Sequence, residues 1–199
     1  MSSTAVAAAF LETGRAIRRP ESLALRWRDR TGKSAPPVGV FFVLIGLAIL
    51  GVATYGLVMR AADGPAAMAL GALRAPLAAG GAWTLALPSL YIVGRALGSR
   101  LDGSTTLLAA CLTVGFGALA MVGSAPITWF ISYVLPFQAS RWVVNVVVFA
   151  GVGVAMTDVF LRVMGKLEPE RGRGFALIWL GLVGAIGTEL FILFDVFHF

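Results

Sequence analysis

The sequence predicts an all-α fold, a polytopic helical bundle crossing a membrane about five times, and three observations carry that prediction. The chain is 58% hydrophobic and only 13% charged, with mean hydropathy +0.87, whereas a soluble domain covers its surface with about 25% charged residues. Its apolar residues gather into about five stretches of roughly twenty, the length a helix rising 1.5 Å per residue needs to cross a hydrocarbon core of roughly 30 Å. Its Lys and Arg residues fall mainly on alternate connections, the pattern of a multi-pass protein whose basic loops stay on one side.

Residues 1–37 form a basic segment with two expected surface helices. Val6, Phe10, Gly14 and Ile17 recur near helical spacing on one side. Pro20 suits the first turn of a second helix that carries Leu23 and Trp27 four residues apart. Arg18, Arg19, Arg26, Arg28 and Arg30 beside Trp27 predict helices lying on an anionic lipid surface. A basic tail that only sets topology accounts for the same charges. These charges follow the apolar stretch AVAAAF instead of preceding it, which is not the order of a signal peptide.

Pro36 and Pro37 separate this segment from a first span at about 38–59. A loop of about a dozen residues containing Asp63, Gly64 and Pro65 leads to a second span at about 74–97. That span lies in LRAPLAAGGAWTLALPSLYIVGRALGSRL, with Arg74 and Arg95 at its ends and Pro88 in its middle. A bilayer helix tolerates such a proline where a neighbouring helix or a hydroxyl re-satisfies the freed carbonyl, and Thr84 lies four residues earlier. A third span is expected at about 105–124. The segment 126–136 is bounded by Pro126 and Pro136, too short to cross, and reads as re-entrant or interfacial. Trp129, Tyr133 and Trp142 suit an aromatic belt. The fourth and fifth spans are expected at about 142–164 and 175–197.

Thirteen basic residues fall on one side: Arg15, Arg18, Arg19, Arg26, Arg28, Arg30, Lys33, Arg95, Arg100, Arg162, Lys166, Arg171 and Arg173. Arg60, Arg74 and Arg141 fall on the other. The expected orientation is therefore N-terminus in the cytoplasm and C-terminus outside.

Polar groups inside spans are expensive and are functional candidates by default. Here they are Asn145, Asp158, Glu189 and Asp195. Asp158 is four residues from Arg162 and near Arg95, as in a structural ion pair at the basic side. Glu189 lies in the outer half of the last span, where Arg74 and Arg141 are its possible partners, Arg74 first, and a proton- or ion-handling role is the competing reading. Small residues at four-residue spacing, Gly94/Gly98, Gly151/Ala155 and Gly181/Ala185, would allow close helix approach. With one cysteine, Cys111, and one histidine, His198, no intrachain disulfide can form, and neither a zinc site nor a catalytic triad is expected. The sequence carries no Walker loop, HExxH, GxGD or GxSG motif. No enzymatic activity, cofactor or metal is expected, and no nucleic-acid partner.

The stretches LRAPL, LALPSLYIVGRALGSRL and SAPITWF resemble motifs of a group of bacterial multi-pass proteins, over roughly residues 70–155. The whole plan is similar to the Ypt-interacting-protein (Yip) family, with its cytoplasmic N-terminal segment, five spans and short outer end. That resemblance implies a protein without enzymatic activity, linked in eukaryotes to vesicle traffic and small GTPases. The last span departs from the bacterial pattern VGAQ..W.LRPF: it reads VGAIGTELFILFDVF, in which Val183, Gly184, Ala185 and Phe194 fit. No role of the missing Gln and Arg transfers.

These readings together lead us to expect a non-enzymatic protein of the bacterial inner membrane, a scaffold or subunit of a membrane assembly, with lipid and other subunits or its own copies as partners. A small transporter or channel component using Glu189 and Asp158 is the alternative, and a membrane-disrupting effector a further one.

Overall fold

The computed structural model describes residues 3–29, 36–135, 137–170, 173–194 and 196. Among the described residues the chain is helical throughout, without strands: α1 (Ser3–Arg18), α2 (Pro20–Arg28), α3 (Gly39–Met59), α4 (Pro65–Ala96), α5 (Gly103–Val134), α6 (Gln138–Leu167) and α7 (Arg173–Leu193). The last five are long and apolar enough to cross a membrane. α3 packs between α4 and α5; α6 lies against α5, and α7 against α4. The bundle has a basic end, covered by α1 and α2, and a far end, where α3 turns into α4 and α5 into α6.

Each boundary has a local cause. Pro37 restrains the residues that lead into α3, whose Val40 N–H already bonds to the Pro37 carbonyl at 3.0 Å. A 3-10 turn, Ala61–Asp63, joins α3 to α4; Gly64 then takes φ +99°, and Pro65 opens α4 at a position where its missing N–H costs nothing. α4 stops at Gly98, φ +87°, in a Schellman arrangement: Ser99 N–H bonds to Gly94 O at 2.8 Å and Gly98 N–H to Arg95 O at 3.0 Å. Asp102 caps α5 by accepting from Thr105 N–H at 3.0 Å.

Three spans are longer than the sequence suggests: α6 runs Gln138–Leu167 instead of about 142–164, and α4 and α5 are extended further. α4 begins at Pro65, not near residue 74, because Ala66, Ala67, Met68, Ala69 and Leu70 are strong helix formers behind a proline start, and Gly71 is held in the helix by its close contact with Gly56 of α3. The segment expected as a separate re-entrant or interfacial element continues α5 through Pro126 to Val134. An interior proline costs about 3 kcal/mol in water, but here Ala125, Thr128 and Ser132 are buried on either side of it, and packing holds the helix together. The Ser124 hydroxyl bonds back to Met121 O at 2.8 Å. At about 48 Å α5 exceeds the hydrocarbon thickness, and its far end carries exposed Trp129 and Tyr133, with Trp142 exposed nearby. Pro88 likewise leaves α4 unbroken, but the Thr84 hydroxyl donates to Gly80 O at 2.7 Å and not to the carbonyl that Pro88 frees.

Close helix approach uses other small residues than those expected. A Cβ on Gly51 would meet Ala118 Cβ of α5 at 2.7 Å, and one on Gly56 would collide with the Gly71 carbonyl oxygen of α4. Gly151 and Gly181 face open space, and Gly98 is a helix stop.

The N-terminal helices differ: α2 buries the Leu23/Trp27 face its spacing suggests, against the bundle instead of against lipid, whereas α1 buries a different face from the one expected. Leu23, Ala24 and Trp27 of α2 are inside, packed with Val40 and Leu44 of α3, Leu108 and Leu112 of α5, and Val159, Val163 and Leu167 of α6. α1 buries Ala9, Thr13 and Ala16, while Val6, Phe10 and Ile17 stay exposed.

Candidate functional site

The far end brings polar groups together from three helices. Tyr55 is fully buried on α3, and its hydroxyl donates to Asn145 Oδ1 of α6 at 2.8 Å. The Asn145 amide donates in turn to the Arg141 carbonyl one turn earlier, at 3.0 Å. The Arg141 guanidinium reaches Asp63 of the α3–α4 turn at 3.3 Å, and Arg60 holds the other oxygen of the same carboxylate at 2.9 Å. Tyr133 of α5 donates to the Ala61 carbonyl at 3.1 Å. Thr128 of α5 is buried beside the Tyr55 hydroxyl. In hydrocarbon each such cross-helix bond contributes about 0.6 kcal/mol and at most about 1.7 kcal/mol. The network therefore sets which helices pair more than how tightly they hold.

Of this network, sequence reasoning places Tyr133 in an aromatic belt and singles out only Asn145 as an intramembrane polar candidate. Tyr55 escapes it because tyrosine in a span reads as an interfacial residue, and Asp63 because it reads as loop. The available signal is positional: Tyr55 lies one turn before Met59, well inside the first apolar run.

The remaining intramembrane candidates do not converge. Asp158 is exposed and pairs with Arg162 at 3.0 Å on the basic half of α6, and the same arginine lies 3.9 Å from Glu21 of α2. Arg95 is exposed and donates to Ser99 O at 3.1 Å, closing α4. Asp195 lies outside the described residues.

Glu189 does not meet Arg74, although α4 and α7 are neighbours as that pairing requires. The two helices touch where Gly81 faces Leu190 and where the Trp179 indole donates to Ala86 O at 3.3 Å. Arg74 is seven residues farther out than Gly81, about 10 Å along the axis. Glu189 is two residues from Gly187, which packs toward α4, and two residues turn a helix by about 200°. The carboxylate therefore points away from α4. It is exposed and makes no ion pair among the described residues.

The residues expected at a lipid surface divide. Arg18 and Arg19 are exposed. Trp27 is not at the surface: only 4% of it is exposed, its ring meets Phe41 edge-on at 4.8 Å, and its indole N–H reaches Ser104 at 3.4 Å. Arg28 donates to Leu167 O at 2.9 Å and so satisfies the open end of α6. Arg26 bonds Glu12 at 2.6 Å. This bond holds the Glu12 carboxyl below its ordinary value of 4.5, outweighing the upward effect of burial, with Arg15 adding to the depression. Arg30 lies outside the described residues.

Among the described residues no three His, Cys, Asp or Glu side chains gather as metal ligands would. In comparisons with known proteins, no family model matches the chain, and no curated protein or solved structure matches it significantly.

Proposed function

We propose that this chain is a non-enzymatic subunit or scaffold of a larger assembly in a bacterial inner membrane. The observation that carries the reading is Glu189. An ionisable residue within a span ordinarily faces the interior of its bundle or a water-filled cavity. Glu189 is exposed on the outward side of α7, about 6 Å short of the helix end at Leu193. A helix from another subunit, bringing a cation or a hydrogen-bond donor, makes that outside an inside. The scatter of the polar groups supports the same reading over a transporter: Asp158 is exposed on the basic half of α6, Glu189 is exposed on α7, and Asn145 is buried in the far-end network.

The basic end is cytoplasmic in this proposal, on the excess of Lys and Arg there. α1 rests on the anionic inner surface, with Val6, Phe10 and Ile17 toward acyl chains and Arg18 and Arg19 toward headgroups; the exposure of all five residues supports this. The non-enzymatic part of this proposal rests on what the Yip-type resemblance implies.

The test is assembly mass in mild detergent. The full chain, extracted from its own membrane, should run as a particle larger than its 20.9 kDa protomer. Glu189→Gln should weaken that particle modestly. Glu189→Lys should cut the assembled fraction about tenfold, equivalent to about 1.4 kcal/mol, without lowering the protomer's melting temperature. A protomer-sized particle for all three, with proton-dependent flux into liposomes that Glu189→Gln abolishes, would replace this reading with the transporter.

A further inference from the structure

α6 and α7 meet through two aromatic contacts. Toward the far end Phe149 and Phe191 pack edge-on, with ring centres 5.2 Å apart; toward the basic end Phe160 and Trp179 stack at 5.0 Å. Eleven residues separate the two phenylalanines along α6, about 16 Å of helix. Between the contacts α6 presents Gly153, and α7 presents Gly184 and Gly187. Gly153 and Gly184 are exposed, and a Cβ on either would meet nothing within 4 Å. The two helices therefore leave an opening beside Gly153 and Gly184, at mid-height of the spanning segments.

Behind the opening is a cavity of about 300 Å³ whose walls come from all five spanning helices, among them Trp83 of α4 and Met156 of α6. Its lining is overwhelmingly apolar. The hydroxyl of Thr188 at its edge is already donated to Gly184 O, at 2.9 Å, and offers water little. An apolar cavity of about 150 Å³ already stays dry and accepts benzene, and an empty one destabilises the fold in proportion to its volume. This cavity is about twice that size and opens at a depth where the surrounding medium is hydrocarbon.

We propose that the cavity is a lateral binding site for one acyl chain of a bilayer lipid, which enters between α6 and α7 and lies against Trp83 and Met156. The chain is held by contact alone, and its headgroup stays outside the bundle. The glycines serve this site: they are not needed for the packing of α6 on α7, and any larger side chain at Gly153 or Gly184 narrows the entrance. The site is independent of the assembly that Glu189 supports, because Glu189 lies on the side of α7 away from Gly187 and the cavity.

The experiment uses the full chain in vesicles of phosphatidylethanolamine and phosphatidylglycerol, with a trace of phosphatidylethanolamine bearing a diazirine in one acyl chain. After illumination, label should appear on the inward residues Trp83 and Met156 as well as on the outward residues Val154 and Ile178. Gly184→Leu, which has room for its side chain, should reduce inward labelling at least fivefold and leave outward labelling unchanged. Gly153→Leu places the same obstruction on the opposite helix, should do the same, and guards against a folding defect peculiar to either variant. Labelling confined to Val154 and Ile178 in the unaltered chain would overturn the proposal. So would inward labelling that survives both obstructions, since the chain would then reach Trp83 by another route.

Discussion

α5 and α7 have equally apolar spans and opposite surroundings. The apolar window of each has mean hydropathy 2.0, yet 56% of the α5 window is buried inside the protein and only 22% of the α7 window. In water such a difference would show in composition, because the exposed face of a soluble helix is polar. In lipid both faces are apolar, and hydropathy stops reporting which helix is central. What separates the two is contact. α5 lies against α3 at Gly51 and carries Thr128 beside Tyr55. α7 leans on α4 and leaves Gly181, Leu182, Ala185 and Glu189 facing outward. The centre of the bundle is built for helix approach, and its periphery for something outside the chain.

The largest expected effect sharpens that contrast with one substitution made twice. Gly56→Leu on α3 must displace the Gly71 backbone, which cannot move aside as a side chain would, and should cost about 3 kcal/mol. Gly181→Leu on α7 adds the same atoms to open space and should change stability by less than about 0.5 kcal/mol. Thermal melts in one detergent compare them; similar losses from both would mean that the periphery is as tightly packed as the centre.

A smaller effect concerns the far-end network. Tyr55→Phe removes the donor to a buried Asn145 and should cost about 1–2 kcal/mol, mostly from the unsatisfied amide oxygen. Tyr55→Phe combined with Asn145→Leu should cost less than the sum of the two single losses, because neither partner is then stranded. Strict additivity in the double-mutant cycle would mean that the two side chains do not bond across α3 and α6.

The smallest effect tests the basic end, where α1 and α2 are joined by charge as well as by packing. The Glu12 carboxyl is held below its ordinary value in the folded chain, so its contribution is present above the unfolded value and is lost as pH falls through the lowered one. Unfolding followed from neutral pH down through that window should show a loss of about 1 kcal/mol or less, since Arg26 is partly exposed to solvent. Glu12→Gln should remove this pH-dependent part while leaving the neutral-pH fold in place. A pH profile identical in the two proteins would show that the Arg26 contact adds nothing to stability.

The sequence by itself determined the class of the protein, the number of spanning helices and the uneven distribution of charge between the two ends. Hydropathy is a local property that adds along roughly twenty residues, and the bilayer responds to that sum alone. Tertiary structure decided the rest, because the deciding partners are distant in the chain. Gly56 and Gly181 are locally alike, and only the Gly71 carbonyl opposite one of them separates a contact from an empty face. Trp27 looks like a lipid-facing aromatic until Phe41 and Ser104 close over it. Pro126 looks like a helix boundary, but the buried residues around it keep α5 intact. Glu189 and Arg74 lie on adjacent helices, as the topology allows, and fail to meet because rotation and depth along an axis follow from packing, which hydropathy does not record.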